Sequence, residues 1–439
     1  MPGLLFLERC FRVTIRIADK SDASHQMKVL HINSSGIHGG AGRAAYRIHD
    51  GLRNAGIDSG YFTQDMVKNS PAIISPQDYV DNKMAIIRPY LERNAFKIFF
   101  GGAKVVFSPA WLSLSSTQEI VTRQSPDIVN LHWVCNSVLR PEDLTKFSRP
   151  ILWTLHDMWP FTGGCHYSDG CLNYQQHCGD CHVLFQSSSN DISQSIHRRK
   201  QKAWDSLQLT IVSPSRWLAA CASQSSLFSG RRIEVIPTGI DLETFRPGEK
   251  LSIRKDLKLP ADKKLILFGA INATGDRRKG FDLLHGAIQS LSRNTREQME
   301  ILVFGSNEPR NPPDFGLPVH YLGRIIDDPR LVSIYSAADV MVVPSREDNL
   351  PNTAVESIAC GTPVVAFDIG GMSDIIDHLK NGYLAPAFEA DRLAQGIEWV
   401  LADNDRYQVI SKEARRKAED SFDITTTVNQ YRSVYQSLL

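Results

Sequence analysis

The residues of this chain that could do chemistry fall into five groups. Asp348 and Glu356 stand eight positions apart in the stretch Ser345–Gly371, with Glu347, Asn349 and Leu350 beside the first acid. Arg277, Arg278 and Lys279 sit between Asp276 and Gly280. His132 and His156 each close an apolar run. Gly39, Gly40 and Gly42 belong to one glycine-rich loop, and Gly370 and Gly371 to another. Cys165, Cys171, Cys178 and Cys181 follow the spacing C-x5-C-x6-C-x2-C, with His166, His177 and His182 interleaved. Clustered Arg and Lys and the N-termini of helices hold phosphate. Bare glycine backbone admits its close approach. The cationic and glycine groups therefore point to a phosphate-bearing ligand, and the cysteine group to a structural loop.

The elements that must position these groups alternate strand and helix. Val29–Asn33 reads as a strand, and the glycine loop after it opens a helix with Ala44, Ala45, Ile48, Leu52 and Ala55 on one face. This loop is not G-x-G-x-x-G with an acid about 20 residues on, which disfavours a dinucleotide site. Pro126–Trp133 and Pro150–Asp157 read as strands ending at His132 and at His156-Asp157, and two such ends at one sheet edge favour a site role for both imidazoles. Lys264–Gly269 restarts the alternation. Val340–Pro344 leads into the acidic loop, and a helix from about Thr353 to Ala359 is capped by Asn352 or Thr353. The acids thus fall at the carboxyl end of a parallel strand, where open α/β sheets bind ligands. Alternation in both halves implies two parallel-sheet domains.

Composition narrows the class. A net charge of +1 argues against a general nucleic-acid binder. No apolar run approaches about 18 residues, so no membrane-spanning helix is expected. Residues 1–26 read as a poorly ordered extension preceding a natural start at Met27, and Leu4–Leu7 is too short for a signal-peptide core. A cytoplasmic protein with reduced or metal-bound cysteines is the expectation. Residues 85–115 are apolar with scattered Lys, and read as a buried helix pair or a membrane-surface element. The basic run on Ser195–Trp204 reads as a solvated face or a contact for an anionic acceptor. The cysteine spacing fits structural zinc, with paired disulfides and free thiols as the alternatives.

The Ser345–Gly371 stretch resembles the E-x7-E signature of the retaining nucleotide-sugar glycosyltransferases of group 1, family 4, with Asp348 in place of the first Glu. Val235–Pro247 resembles that family's I-P-N-G-I-D…F-x-P passage, with Thr238 for Asn. The resemblance implies a GT-B fold: two Rossmann-like, doubly wound parallel-sheet domains facing a central cleft. It implies an acceptor-side domain over 27–245 carrying the Cys-rich loop 165–182. A nucleotide-sugar domain follows over 246–421, and a helix over 422–439 crosses back. It further implies that His132 faces the donor sugar and that Asp348 binds its hydroxyls. Glu356 would bind the nucleotide ribose, Lys279 the diphosphate together with Arg277 or Arg278 (the family's own Arg position is Ala270 here), and Gly323, Arg324 and Ile325 the base.

On that resemblance the expected activity is retaining transfer of a sugar from a UDP- or GDP-sugar to a saccharide or polyprenyl-pyrophosphate-linked acceptor. The work would be cell-surface polysaccharide synthesis, as in colanic-acid-type exopolysaccharide enzymes, at the inner face of the plasma membrane, with no nucleic acid as partner. No strand-bounded D-x-D is present, so catalysis is expected to need no metal cofactor, and zinc, if bound, to be structural. The alternatives are a phosphorylase, hydrolase or epimerase on the same fold, or a non-catalytic sugar-nucleotide-binding component of an assembly complex.

Overall fold

The computed structural model describes residues 26–37, 39–65, 72–75, 79–113 and 116–439. The 1–26 extension therefore lies outside the described residues except for Gln26.

Two all-parallel sheets organise the chain. The first contains β1 (Lys28–Asn33), β2 (Asp58–Thr63), β3 (Ile73–Ile74), β4 (Ile128–Leu131), β5 (Ile151–Thr154), β6 (Leu209–Ser213) and β7 (Arg232–Val235). Its order is β3-β2-β1-β4-β5-β6-β7. The second contains β8 (Lys264–Gly269), β9 (Met299–Phe304), β10 (Val319–Tyr321), β11 (Val340–Val343), β12 (Val364–Phe367) and β13 (Gly382–Ala385), ordered β10-β9-β8-β11-β12-β13. Central strands such as Val340–Val343 and Val364–Phe367 are buried at every position, because helices cover both faces of a parallel sheet. The order reverses at β1 in one sheet and at β8 in the other. A crevice forms at the carboxyl ends of strands at such switch points. The glycine loop follows β1, the cationic run follows β8, and the acidic loop follows β11.

The chain passes between the two sheets twice, side by side. Ile240 N–H donates to the carbonyl of Phe422 at 2.8 Å, and Ile424 N–H donates to the carbonyl of Ile240 at 3.1 Å. The terminal helix Ile424–Gln436 then lies against the first domain. Asn130 Nδ2 donates to the Tyr435 hydroxyl at 2.7 Å, and Thr154 Oγ1 stands 3.1 Å from that of Tyr431. Gly51 allows this contact, since a Cβ there would come within 2.7 Å of Val428 Cγ2.

Two sequence expectations change. The described residues of 85–115 are not a buried helix pair: one helix, Tyr79–Phe100, is followed by irregular chain, and large apolar side chains of both are exposed. Nor is the basic run on helix Ile192–Trp204 a uniformly solvated face. Lys200 is fully buried, sits 3.7 Å over the Trp159 ring and donates to the Thr162 carbonyl at 3.0 Å. Burial pushes its pKa down to about 7. Helical period turns Lys200 inward while Lys202 points out.

Candidate active site

A cavity of about 430 Å³ opens between the carboxyl ends of the two sheets. That volume lies in the ordinary range for small-ligand sites. Its first wall begins at Gly39, whose φ of 107° favours glycine and which precedes helix Gly40–Asn54 without any side-chain cap. The first N–H groups of that helix are therefore left for a ligand. Gly40 also lines the cavity. Gly42 does not: a Cβ there would meet the Gly36 carbonyl at 2.2 Å, so it packs the loop.

The opposite wall carries the charge. The Asp276 carboxylate accepts from Arg278 N–H at 3.0 Å, closing the 3-10 turn Arg277–Lys279. Gly280 follows at φ 71°, where a Cβ would lie 1.9 Å from the Pro344 carbonyl. The turn is thereby pressed onto the end of β11. Lys279 Nζ reaches Asp348 Oδ2 at 2.6 Å, Ser345 Oγ donates to the same oxygen at 3.2 Å, and Arg278 Nη1 lies 3.6 Å from it. Burial opposes ionisation of Asp348, but Lys279 and Arg278 outweigh it and hold the carboxyl below its usual range. Among the described residues Oδ1 has no hydrogen-bond partner, which leaves it for a ligand. Arg277 is exposed and Arg278 lines the cavity, so Arg278 is the arginine that faces the site. Arg324, at the exposed rim, has no ion-pair partner among the described residues, and Ile325 lies beside it.

Glu356 is buried and bridges the two domains. Its Oε1 accepts from Arg47 Nη2 at 2.7 Å with Arg43 at 3.6 Å, and its Oε2 accepts from the Tyr335 hydroxyl at 2.7 Å. The helix that carries it runs Asn352–Ala359 and starts at Pro351 with no side-chain cap. The expected capping by Asn352 or Thr353 is thus replaced: Asn352 Nδ2 donates across the cleft to the Gly40 carbonyl at 3.0 Å. Leu350 lines the cavity, as does Asn349, which accepts from Ser215 Oγ at 2.6 Å.

Besides Gly42, four expected site residues are used elsewhere. Glu347 accepts from the N–H groups of Ser168 at 3.3 Å and Asp169 at 3.1 Å, tying the acidic loop to the Cys-rich loop. Gly370 and Gly371 do not line the cavity. A Cβ at either would strike the carbonyl of Asp348 at 1.9 Å or of Asn349 at 1.8 Å, so the bare backbone there supports the acidic loop. Gly323, at φ 68°, has its carbonyl bonded by Gly305 N–H at 2.8 Å and only shapes the turn that presents Arg324.

The histidine expectation requires a correction. His132 is 2% exposed and does not reach the cavity; His156 does. β4 is flanked by β1 and β5, so the His132 ring lands between theirs. His31 Nδ1 lies 2.8 Å from His132 Nε2, and His132 Nδ1 lies 3.0 Å from His156 Nε2. Burial lowers the pKa of all three, that of His156 to about 4, so the rings are neutral at pH 7. Each neutral ring carries one proton, which allows only two directions for the chain. Among the described residues His31 Nε2 is buried without a partner, and an orphaned lone pair costs less than an orphaned N–H. This favours protons on Nδ1, which leaves the Nδ1–H of His156 without a partner among the described residues.

Tyr167, from the Cys-rich loop, also lines the cavity and receives the Arg278 guanidinium 4.6 Å above its ring. Next to it His166 Nδ1 lies 2.6 Å from Asp157 Oδ2. The same Oδ2 accepts from Trp133 Nε1 at 2.8 Å. Cys165, Cys171, Cys178 and Cys181 are free thiols lining a separate cavity of about 20 Å³. Among the described residues no three His, Cys, Asp or Glu side chains stand close enough together to hold a metal ion.

Residues 38–244 match the model of Glycosyltransferase Family 4, and residues 249–417 match that of Glycosyl transferases group 1. The chain belongs to the group 1, family 4 glycosyltransferases. The D-inositol 3-phosphate glycosyltransferase of Saccharomonospora viridis is 30% identical over 222 residues, which are 47% of this chain and 50% of that protein. Its counterpart in Xylanimonas cellulosilytica is 33% identical over 201 residues, 42% of this chain and 46% of that protein. The chain spans about half the length of the curated relatives it matches. Among solved structures, sucrose-phosphate synthase of Thermosynechococcus elongatus superposes with a TM-score of 0.68 at 21% identity, covering 94% of this chain and 99% of that one. HepE of Anabaena, in complex with UDP-glucose, gives 0.63 at 17% identity, covering 94% and 100%. These likenesses place the fold in the GT-B class.

In this glycosyltransferase-family chain the cavity gathers Gly39, Gly40, Arg278, Lys279, Arg324, Ile325, Asp348, Asn349, Leu350 and Glu356 from the residues marked in the sequence. It also takes in His156, marked there as well, and the unmarked Arg43, Trp133 and Tyr167. Arg43 and Arg47 had a readable signal, a basic i, i+4 pair in the helix after the glycine loop. Tyr167 had none, because nothing local tells that the Cys-rich loop folds over the cleft.

Proposed function

We propose that this protein transfers a sugar, with retention of anomeric configuration, from a nucleotide-diphosphate sugar to a saccharide or lipid-linked saccharide acceptor in cell-surface polysaccharide synthesis. The observation that carries this reading is the convergence of Arg278, Lys279, Asp348 and two helix N-termini on one cavity between the sheets. Breaking the bond between sugar and diphosphate develops negative charge on the leaving group. Two fixed cations in a water-poor cleft stabilise that charge without reorganising. Asp348 Oδ1 and the Nδ1–H of His156 are positioned to meet sugar hydroxyls, and Glu356 the ribose. Each Glu356 oxygen keeps a second lone pair for a hydroxyl. Arg324 and Ile325 flank the space for the base. The HepE structures contain UDP and UDP-glucose, which supports a uridine donor here.

The test is thermal unfolding with UDP-, GDP- and ADP-sugars, followed by transfer assays with saccharide, lipid-linked and D-inositol 3-phosphate acceptors. A matched donor at 100 times its Kd should stabilise the native state by about 2.7 kcal/mol. Stabilisation by a donor with no transfer to any acceptor would favour the non-catalytic binding component. No shift with any donor would sink the proposal.

Zinc in the Cys-rich loop is a separate proposal, supported by four thiols around one small cavity and by Asn173 N–H donating to Cys171 Sγ at 3.4 Å. Binding would have to draw the sulfurs together, to about 2.3 Å from the ion. One zinc per chain by elemental analysis, with loss of loop protection from proteolysis on chelation, is expected; metal-free protein with four titratable loop thiols refutes it.

A further inference from the structure

The helix Tyr79–Phe100 and the chain after it leave a set of large apolar side chains in solvent. Ile98 is 76% exposed, Phe99 70% and Val106 65%; Tyr90, Leu91 and Phe185 are also exposed. They form one face. Lys104 N–H donates to the Val183 carbonyl at 2.8 Å and Phe185 N–H to the Gly102 carbonyl at 3.3 Å, which brings Phe185 alongside the segment that follows the helix. The face is backed by packed rings: Phe96 stacks on Phe107 at 5.0 Å, and Phe100 meets Trp111 at 5.6 Å. Its shape is therefore set by a core, and the apolar tips are held outward.

Charge identifies the partner. Between Lys83 and Leu112 the chain carries Lys83, Arg88, Arg93, Lys97 and Lys104 against one acid, Glu92. Glu92 is buried, and its carboxylate accepts from the N–H groups of Trp111 and Leu112 and from Ser137 Oγ. Every exposed charge from Lys83 to Leu112 is thus positive, with Asp81 near the start of the helix as its other acid, in a protein whose net charge is only +1. Apolar tips that enter the acyl boundary, surrounded by Lys and Arg at headgroup level, fit an anionic bilayer surface. We propose that this face docks the protein on an anionic lipid membrane.

The face adjoins the cavity through one loop. His166 N–H donates to the Val106 carbonyl at 3.1 Å, and the next residue, Tyr167, lines the cavity. Docking would present a lipid-linked acceptor at the cleft. That consequence rests on the activity proposed above, whereas docking itself does not.

Co-sedimentation of the full chain with phosphatidylglycerol-containing vesicles, and with phosphatidylcholine vesicles, tests docking without any transfer assay. Binding to the anionic vesicles is expected, falling at least tenfold at about 0.5 M salt, where the Debye length shrinks below about 5 Å. Ile98→Asp with Phe99→Asp should reduce binding at least tenfold while leaving thermal unfolding and nucleotide-sugar stabilisation unchanged. Arg93→Glu with Lys97→Glu should abolish the preference for anionic lipid. Wild-type protein that stays in the supernatant, or a double Asp variant that sediments as the wild type does, overturns the proposal. So does a concentration-dependent dimer in sedimentation velocity that the Asp pair abolishes and vesicles fail to compete, which would assign the face to a second copy.

Discussion

Lys279→Ala is expected to lower the rate of sugar transfer about 10²–10³-fold, the range for loss of one preorganised donor to a developing negative charge. The loss should fall on kcat more than on KM, because charge on the diphosphate grows as the sugar bond breaks. The substitution also strips Asp348 of its nearest cation, now at 2.6 Å, and leaves Arg278 at 3.6 Å. In the wild type the folded-state pKa of Asp348 is depressed. Its contribution to stability is present above the ordinary carboxylate pKa and is lost as pH falls through the folded value. In Lys279→Ala that acid-side loss should begin at a higher pH, which a series of urea unfolding curves from pH 3 to 7 would detect. Transfer within threefold of the wild type, assayed below the melting temperature, would remove Lys279 from the mechanism.

Glu356→Ala is expected to cost about 3–5 kcal/mol of stability, because it leaves Arg47 without its carboxylate in a buried setting. Arg43 retains Asp328, which limits the damage to one uncompensated charge. Transfer should fall as well, and the two effects can be separated. Replacing both partners, Arg47→Met with Glu356→Met, removes the ion pair and fills its space with apolar atoms, so stability should largely return. Donor affinity should not return, since no carboxylate remains for the ribose. Recovery of transfer along with stability in the double variant would show that Glu356 acts only as a domain clasp.

The position of Asp348 shows how far the linear chain could be read. The spacing of the two acids, the apolar strand before them and the cationic run some 70 residues earlier all lie in local sequence. Local period and composition therefore identify both sheets and the loops at their ends. The glycines are a harder case. Gly39 and Gly370 look alike in sequence, yet one opens on the cavity and the other is pressed against the Asp348 carbonyl. A missing Cβ serves a ligand or a neighbouring backbone equally well, and only the neighbour's location distinguishes them. Glu347 was similarly ambiguous, one residue from the cavity-facing acid and turned the other way to hold Ser168 and Asp169.

By itself the sequence determined the two-domain α/β architecture, the strand ends that carry polar loops, and the cationic run and the acidic loop as separate local features. Those features follow from the period of apolar residues and from chemistry carried by neighbours in the chain. The tertiary structure alone decided that His156 rather than His132 meets the cavity, that Arg47 and Tyr335 grip Glu356, and that Tyr167 closes the wall. Each of these depends on which elements pack together, within a domain for Tyr335 and His156 and between domains for Arg47 and Tyr167. A contact such as that of Arg47 with Glu356, 309 positions apart, is set by the packing of whole sheets, and no local pattern encodes it.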